Sequence, residues 1–481
     1  MNVIIICLLL YFVGMFAIAY ASSKQIKTAE DYMVGGGKLG VWITAIATQS
    51  AAMSGFMFLG FASSAASNGT GAIWTAIASG TAPFICFAIL ARRMSTYTQK
   101  KKPRSFIDLL ETRYYDQDKK YIRTLCSVIM FVCISVYIGS QILGAGKTFQ
   151  YVLGLDYNVA VILATVIVVI YTSAGGLLAV AWTDFVQGML MIFGIAVGLY
   201  IAFSEFHSYS GIVEAVGLVN PGKETPFWMQ PWTIVGLLSA GGIAYCGQPH
   251  IVQMFMGMKS PDDSKKGMII SGFTGVFLLM GGFVVMLAAG VLFPESPDAE
   301  LNYLMMVQAY LPNVLMGIVV AAVLSAIMSS TDALLHSANT TLVNDFYNGV
   351  LKKGTATDKE LLFFGRIAAI VIGIIAILIA LFPFEGFLWI MWWAFGGLSV
   401  FAPVVILGLH WKRATREGAI AALIIGFIAT IWWFGMGYYS SVHLCVPAIT
   451  VTTIVHVIVS LMTPAPPQEV QDDIESLKVQ K

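Results

Sequence analysis

Thirteen long apolar runs, separated by short polar segments, set the strongest limit on what this chain can fold into. Most are about 18–25 residues long, which is enough for an α-helix to cross the hydrocarbon core of a bilayer. Backbone polar groups inside a bilayer have to be hydrogen-bonded within the protein, which favours helices. The sequence therefore predicts an all-α polytopic membrane protein with about 13 transmembrane helices. Their predicted limits are 2–20, 40–65, 72–92, 122–149, 158–178, 183–204, 232–256, 268–293, 311–343, 362–382, 386–409, 417–436 and 442–462.

Composition agrees with this fold class. Hydrophobic residues make up 58% of the 481 residues and charged residues 11%, which is far from the composition of a soluble domain. The net charge of +1 argues against a nucleic-acid partner. The six cysteines are scattered and show neither metal-ligand spacing nor a disulfide framework. We therefore expect no cofactor.

Basic residues indicate the orientation. Of the 27 Lys and Arg residues, only Lys147 and Lys223 lie near loops of one face, which leaves 25 for the other. Lysine and arginine concentrate in cytoplasmic loops. We therefore predict a multi-pass protein of the inner (plasma) membrane, with the N-terminus outside and the C-terminus in the cytoplasm. An even number of spans would place basic loops on both faces.

The chain is predicted to form one transmembrane domain, residues 1–462, and a cytoplasmic tail, residues 463–481, with one or two helical turns. The first apolar run ends in AYA at 19–21, which resembles a signal-peptide cleavage site. However, no basic residue precedes this run and three lysines follow it between residues 24 and 38. Cleavage would leave those lysines outside, so we predict a retained first helix.

The stretch from Ala321 to Tyr347, AAVLSAIMSSTDALLHSANTTLVNDFY, carries polar residues at a depth where they are costly. On a helix turning about 100° per residue, four polar residues fall within an arc of about 60°. They are Ser325, Ser329, Asp332 and His336. A stripe of small residues lies beside them, formed by Ala326, Ser330, Ala333 and Ser337. Hydroxyl and carboxylate oxygens suit a hard cation, so we interpret this face as part of an ion or substrate path. Helix packing through small polar residues is the alternative.

Two predicted spans contain helix-breaking residues at their centres. The second has Gln49, Ser50, Ser54 and Gly55, and the seventh reads GGIAYCGQPH from residue 241. Proline removes a backbone donor and glycine relaxes the backbone. Non-helical backbone at membrane depth is tolerated where it lines a cavity or is buried in protein. Because the two segments lie five spans apart, they predict two inverted five-helix repeats, about 40–204 and 232–409. Packing glycines with a proline kink are the alternative.

A third polar signal is the motif SAGGLLAVAWTDFVQG at residues 173–188. In it, Asp184 is predicted to lie in the first turn of the sixth span. A carboxylate at that position can cap the helix or interact with its dipole. From the motif alone, this structural role is the preferred interpretation.

At these three places the sequence resembles the sodium:solute symporter family, which includes bacterial proline and pantothenate permeases and animal sodium–glucose transporters. GGLLAVAWTDFVQGMLMIFG is similar to the family's signature at the junction of the fifth and sixth spans, and LSAIMSSTDALLHSANTTLVNDFY to its sodium-site helix. YCGQPHIVQMFMG and AFGGLSVFAPVVILGLHWKRATREGAIAALIIG resemble the proline and pantothenate branch. The resemblance covers about residues 5–460 and implies a core of two inverted five-helix repeats.

The resemblance implies a main sodium site shared by the two repeats. Backbone carbonyls near Ser50 and Met53 of the second span would meet the ninth span there. The ninth span would add the Ala326 carbonyl and the Ser329 and Ser330 hydroxyls. Five oxygens around a monovalent ion need no net charge. Sodium is then the coupling ion and the only metal expected.

Some family members have a second sodium site, which the resemblance places at Asp184, Ser329 and Asp332. The two hydroxyl positions that follow in the family's pattern read Asp332 and Ala333 here, which is a departure. Asp332 could replace a hydroxyl with a stronger cation ligand, bind a proton or contact substrate. These three interpretations stay open. One sodium ion per cycle is the expected stoichiometry.

The substrate pocket implied by the resemblance lies beside the main sodium site, between the second and seventh spans. Its candidate residues are Ser54, Gly55, Phe56, Tyr137, Gln141, Tyr245, Gln248 and Pro249. The proline permease has an aspartate and a tryptophan where this chain has Ala52 and Gly241. The GQPH segment favours an amino acid such as proline, whereas the AFGGL…GLHW segment favours a carboxylate such as pantothenate. The sequence therefore favours proline and pantothenate about equally as substrates.

The predicted function is import of a small organic solute with sodium by alternating access. A sugar, sialic acid or a monocarboxylate is the alternative solute class. We expect no enzymatic activity, because the candidate groups lie on three different spans without an HExxH pair or a serine nucleophile motif. Those groups are His250, His336, Asp184 and Asp332. A channel or sensor is disfavoured, since neither a filter repeat nor a signalling domain is present. The expected partners are the solute, sodium and the lipid bilayer, and a monomer is compatible with the sequence.

Overall fold

The chain folds into 22 α-helices within the part that the computed structural model describes, residues 2–25, 28–172 and 176–478. The first eleven are α1 Asn2–Ser23, α2 Ala29–Val34, α3 Val41–Met53, α4 Gly60–Asn68, α5 Ile73–Cys86, α6 Arg92–Lys101, α7 Phe106–Arg113, α8 Tyr121–Leu153, α9 Tyr157–Thr172, α10 Gly176–Phe206 and α11 Tyr209–Val219. The others are α12 Pro231–Gly241, α13 Pro249–Met256, α14 Ser264–Leu292, α15 Asn302–Tyr310, α16 Asn313–Thr340, α17 Asp358–Leu381, α18 Phe387–Leu398, α19 Phe401–His410, α20 Arg416–Gly435, α21 Cys445–Met462 and α22 Gln468–Ser476. Two π-helical segments, Phe87–Ala91 and Thr341–Leu351, continue α5 and α16.

Ten helical segments of the described chain are long and apolar enough to cross a membrane. This confirms the predicted class of all-helical, polytopic membrane protein. The second, fifth and seventh predicted spans fall on shorter helices, and α4 is part of the long segment Gly55–Lys101 that also contains the third. These three spans correspond to α3 with α4, to α9, and to α12 with α13.

The sixth span begins earlier than predicted. α10 starts at Gly176 rather than at residue 183, so Asp184 lies about two turns inside the helix. The prediction that Asp184 lies in the first turn is therefore wrong, and a capping role is excluded. The fifth span was predicted to reach residue 178, but residues 176–178 belong to α10. The first three residues of the motif, 173–175, lie outside the described residues.

Both predicted helix interruptions are present. α3 ends at Met53, Ser54 adopts a left-handed φ of 51°, and a 3₁₀ turn at Gly55–Met57 precedes α4. α12 ends at Gly241, a 3₁₀ segment at Ile243–Gly247 follows, and α13 then begins. The last four carbonyls of an α-helix have no partner within the helix. Each interruption therefore presents backbone oxygens inside the protein.

The two interrupted spans are also joined at one end. The Leu39 amide, just before α3, donates to the Gly257 carbonyl at 3.0 Å, and the Lys259 amide donates to the Leu39 carbonyl at 2.9 Å. This short backbone bridge pairs Leu39 with Met258. It fixes the start of α3 against the end of α13.

α16 occupies the centre of the helix packing. Its apolar window is 83% buried, the largest share among the ten segments of the described chain. It packs against α1, α3, α8 and α10. The first helix belongs to this packing, because the Tyr11 hydroxyl contacts the Met328 sulfur at 3.7 Å.

The tail forms α22, whose nine residues exceed the one or two turns predicted. Its acidic residues pair with lysines of the helical bundle. Asp473 lies 2.8 Å from Lys100 and 2.5 Å from Lys101, and Glu475 lies 2.5 Å from Lys412. The tail helix is thereby held against the ends of α6 and α19.

Candidate functional site

The interruption after α3 lies directly against α16. The Ser329 hydroxyl donates to the Ser50 carbonyl at 3.1 Å and to the Ala326 carbonyl at 3.2 Å. The Ser330 hydroxyl donates to the Ala51 carbonyl at 2.6 Å. Met53, the last residue of α3, lies one turn beyond Ser50. We call the group formed by Ser50, Met53, Ala326, Ser329 and Ser330 the carbonyl–hydroxyl junction.

This junction has the chemistry of a weak-field cation site. All five residues are fully buried, and their oxygens carry no net charge. Each serine hydroxyl donates its hydrogen to a carbonyl, which leaves lone pairs on its oxygen that can bind a cation. A hard monovalent cation prefers such oxygen ligands. The same hydrogen bonds hold the carbonyls of α3 in place.

Asp184 lies on α10 beside the same part of α3. It is fully buried, and neither carboxylate oxygen has a hydrogen-bond partner among the described residues. It lies one helical turn from Gly188, which packs against Ile46 and Ser50. A carboxylate without a partner at this depth is costly unless a cation neutralises it. A carboxylate in this environment can bind a cation or a proton.

Asp332 faces α10 from α16. Its carboxylate accepts from the Thr183 hydroxyl at 3.4 Å and from the Ala333 amide at 2.8 Å. The Tyr11 hydroxyl accepts from the Gln187 side chain of α10 at 3.0 Å and contacts the Met328 sulfur of α16 at 3.7 Å. Tyr11 thus bridges α10 and α16, the two helices that carry Asp184 and Asp332. Ser329, the third residue predicted for a second cation site, bonds to Ser50 and Ala326.

A small cavity lies next to the junction, because Ser54 directly follows Met53. Its volume is about 20 Å³, which is room for one water molecule. The lining residues are Ser54, Phe56, Thr75, Ser79, Tyr137, Leu237, Ala240, Gly241, Tyr245, Met391, Trp392 and Phe395. The Tyr245 hydroxyl donates to the Ala52 carbonyl at 3.4 Å, which links the cavity wall to the end of α3.

Four of the eight residues predicted for substrate binding line this cavity, namely Ser54, Phe56, Tyr137 and Tyr245. The other four, Gly55, Gln141, Gln248 and Pro249, do not line it. The Gln141 side chain accepts from the Gly55 amide at 2.8 Å. The Gln248 side chain donates to the Phe395 carbonyl at 3.1 Å, and Pro249 begins α13. These residues hold the two interruptions in shape.

Other helices contribute parts of the cavity wall that the sequence did not predict. Thr75 and Ser79 come from α5, and Trp392 comes from α18. The Thr75 hydroxyl is buried and has no hydrogen-bond partner among the described residues. Hydroxyls at i and i+4 in an apolar run are the one signal that the sequence offered. Tyr11, which bridges α10 and α16, lies on a helix outside the predicted repeats and carried no such signal.

A second, wider cavity of about 330 Å³ adjoins the first. Leu237 and Trp392 line both cavities, so these two side chains separate them. The Trp392 ring packs edge to face on His443, with ring centroids 4.4 Å apart. Glu300 stands on the wall of the wider cavity and pairs with Lys147 at 2.6 Å. Burial raises the pKa of the Glu300 carboxyl, and the lysine opposes this effect.

Comparisons with known proteins agree with this architecture. The sequence model of the sodium:solute symporter family matches residues 32–426. The chain is 31% identical to the high-affinity proline transporter PutP of Bacillus subtilis, covering 95% of this chain and 98% of the relative. It is 28% identical to a sodium/proline symporter of Staphylococcus aureus, covering 98% and 95%. Among solved structures, it resembles a Na⁺-coupled sialic acid symporter in a substrate-bound, outward-open state. The TM-score is 0.79 at 21% identity, over 97% of this chain and 99% of that chain.

A helical membrane bundle with two interrupted helices around a buried polar site is the architecture of an ion-coupled secondary transporter. The chain belongs to the sodium:solute symporter family. It is accordingly a multi-pass membrane protein that couples solute uptake to sodium, and its relatives are transporters rather than enzymes.

Proposed function

We propose that this symporter imports a small zwitterionic amino acid of the size of proline. The observation that carries this proposal is the chemistry of the small cavity, whose lining residues are hydroxyl-bearing, aromatic or aliphatic and include no charged side chain. Hydroxyls can bond to either end of a zwitterion, while aromatic faces cover its apolar part. An anionic solute such as pantothenate would find no cationic partner on this wall. The proline transporters among the relatives support the same choice.

The cavity has to widen before such a solute fits. A volume of about 20 Å³ holds one water, so binding requires the aromatic walls to move apart. Gly241 limits how this happens, because a Cβ there would come within 2.3 Å of the Ala78 backbone. The tryptophan of the proline permease therefore cannot be accommodated with α5 and α12 at their present separation. The space for solute has to come from Trp392, Phe395 and the tyrosines.

Uptake by proteoliposomes tests this proposal. Labelled proline, pantothenate and sialic acid are supplied under an imposed inward sodium gradient, with a sodium ionophore as the control that removes the gradient. We expect transient accumulation of proline, at least about tenfold above the ionophore control, since 1.4 kcal/mol of gradient corresponds to a factor of ten. Accumulation of pantothenate or sialic acid instead of proline would overturn the proposed substrate class.

The junction is proposed as the main sodium site, with Ser50, Met53, Ala326, Ser329 and Ser330 as ligands. Sodium bound there would tie the end of α3 to α16 and so stabilise one arrangement of the two helices. A ligand shifts a conformational equilibrium only by its difference in affinity for the two states. Entry of one sodium ion with the membrane potential contributes about 2.3 kcal/mol per 100 mV. The ion would thus supply the driving force for uphill import.

The topology is part of the proposal. Thirteen crossings, with the N-terminus outside and the tail 463–481 in the cytoplasm, agree with the distribution of Lys and Arg. One domain, 1–462, would contain the inverted repeats 40–204 and 232–409. The paired interruptions after α3 and α12 support this symmetry.

Asp184 and Asp332 are proposed to share one further cation, which is a proton or sodium. Asp332→Asn keeps the shape of the side chain and removes its charge. We expect it to lower maximal uptake about tenfold and to change the pH profile of uptake, because the cation loses one of its two carboxylates. Thr183→Val is the matched control, since it removes only the hydroxyl that bonds to Asp332. A normal rate and a normal pH profile in Asp332→Asn would return this residue to a structural role.

Leu237 and Trp392 are proposed as the gate between the two cavities. Ser79→Cys places a thiol in the inner cavity, where a membrane-impermeant thiol reagent reports on access. We expect Trp392→Ala to raise its rate of modification about tenfold, because the indole is part of the dividing wall. Trp389→Ala is the control, because Trp389 lines the wider cavity and not the inner one. Equal rates with Trp392 present and absent would exclude the gate.

A further inference from the structure

A groove on the outer surface of the bundle runs between α5 and α14. Its volume is about 650 Å³, larger than either cavity described above. The lining is apolar except for Thr81, whose hydroxyl bonds to the Ile77 carbonyl of its own helix at 2.8 Å. On the α14 side, Ile269 is 65% and Phe273 is 82% exposed. An apolar groove on a membrane-spanning helix pair faces lipid.

Glycines create the groove. A Cβ at Gly275 would lie 2.4 Å from the Gly80 carbonyl oxygen, so the backbones of α5 and α14 touch at this point. Gly272 and Gly80 contribute no side chains to the floor, while Phe84 and Phe273 stand on either side. The result is a groove between two aromatic walls, whose shape suits a narrow apolar chain.

Two lysines lie at the end of this groove. Lys265 and Lys266, in the first turn of α14, are exposed and have no ion-pair partner among the described residues. Ile269, Phe273 and Phe277 follow at spacings of three and four, so they share the lysines' face of the helix. From Lys266 to Phe277 the helix rises about 16 Å, close to half of the roughly 30 Å hydrocarbon thickness.

Other charges at this end leave the lysines available. Asp262 pairs with Arg92 at 3.1 Å, so these two neutralise each other. Asp263 is the remaining acid of the turn, against two lysines. The local charge is therefore positive at the end of the apolar groove. The groove is about as long as one acyl chain.

We infer that this groove binds one anionic phospholipid, with an acyl chain along α14 and its phosphate between Lys265 and Lys266. Juxtamembrane lysines attract anionic headgroups, and the apolar walls hold the chain. The bound lipid would brace α5 against α14. Ser79, next to Gly80, lines the solute cavity on the other side of α5, so the lipid would stabilise a helix that forms the cavity wall.

Native mass spectrometry of the full-length protein tests this site. Phosphatidylglycerol and phosphatidylcholine with the same acyl chains are titrated separately, and the dissociation constant of the first bound lipid is measured. We expect phosphatidylglycerol to bind at least about tenfold more tightly. Lys265→Gln with Lys266→Gln should remove this preference, because each lysine contributes about fivefold. Val276→Trp, which fills the groove, should weaken phosphatidylglycerol binding at least about fivefold while both lysines remain.

Three controls decide the result. Lys119→Gln with Lys353→Gln removes two exposed lysines elsewhere and should leave the preference intact. Inorganic phosphate should not displace the lipid, because it lacks the acyl chain. An unchanged far-ultraviolet circular dichroism spectrum and a single size-exclusion peak of the Val276→Trp protein show that it is folded. Equal binding of the two lipids, an unchanged constant in either groove variant, or cross-linking of two chains through α14 would overturn the inference.

Discussion

Replacing Ser330 by alanine is expected to raise the sodium concentration for half-maximal uptake at least about tenfold. The change removes one of five proposed oxygen ligands together with the hydrogen bond that holds the Ala51 carbonyl at 2.6 Å. A hydrogen bond or ligand contact to a charged partner contributes about 1.5–3 kcal/mol, which corresponds to roughly 10- to 100-fold. Ser329→Ala should behave in the same way. The measurement is initial uptake against sodium concentration at saturating solute.

Thr331→Val is the matched control. Thr331 is the next residue on α16 and is equally buried, but its hydroxyl bonds to the Ile327 carbonyl of the same helix. Thr331→Val should therefore change the sodium concentration for half-maximal uptake by less than about twofold. The apparent affinity for solute, measured at saturating sodium, should change less than the sodium requirement in both serine variants. Unchanged sodium activation in Ser329→Ala and Ser330→Ala would refute the assignment of the site.

Replacing Arg123 by glutamine is expected to lower the free energy of unfolding by about 3–5 kcal/mol. The guanidinium, 7% exposed, pairs with Asp108 at 2.6 Å, with Glu111, and with Asp345 at 2.9 Å. Removing one partner of a buried ion network leaves the others charged and uncompensated. Three carboxylates would then repel one another where α7, α8 and the end of α16 meet. Unfolding in detergent micelles by denaturant titration gives the free energy.

Lys352→Gln is the control, because its single pair with Glu360 is 39% exposed on both sides and surface pairs contribute about 0–1 kcal/mol. Asp345→Asn in the Arg123→Gln background should recover part of the loss, since it removes one of the unpaired charges. A cost for Arg123→Gln no larger than that for Lys352→Gln would show that the network does not hold these helices together.

The two helix interruptions and the polar face of α16 were predictable because their signals are local. Glycine and proline act on their own turn, and residues three or four apart on a helix share a face. The sequence motifs also indicated the family. For these features the information lies within a few residues of the place where it acts.

Features set by contacts between distant segments were not predictable in the same way. Asp184 looked like a helix-capping residue because the start of α10 was placed seven residues too late. The wall formed by Thr75, Ser79 and Trp392 depends on how α5 and α18 approach the interruption after α12. Tyr11 contacts Gln187 and Met328 only because α1 packs on α10 and α16. Single-sequence periodicity carries no information about such pairings.

The most direct test of the central claim is a high-resolution density map of the protein in sodium, compared with one in which choline replaces sodium. We predict a sodium-dependent peak enclosed by the carbonyls of Ser50, Met53 and Ala326 and the hydroxyls of Ser329 and Ser330. A sodium-dependent peak elsewhere, or a junction without any peak at saturating sodium, would contradict the account.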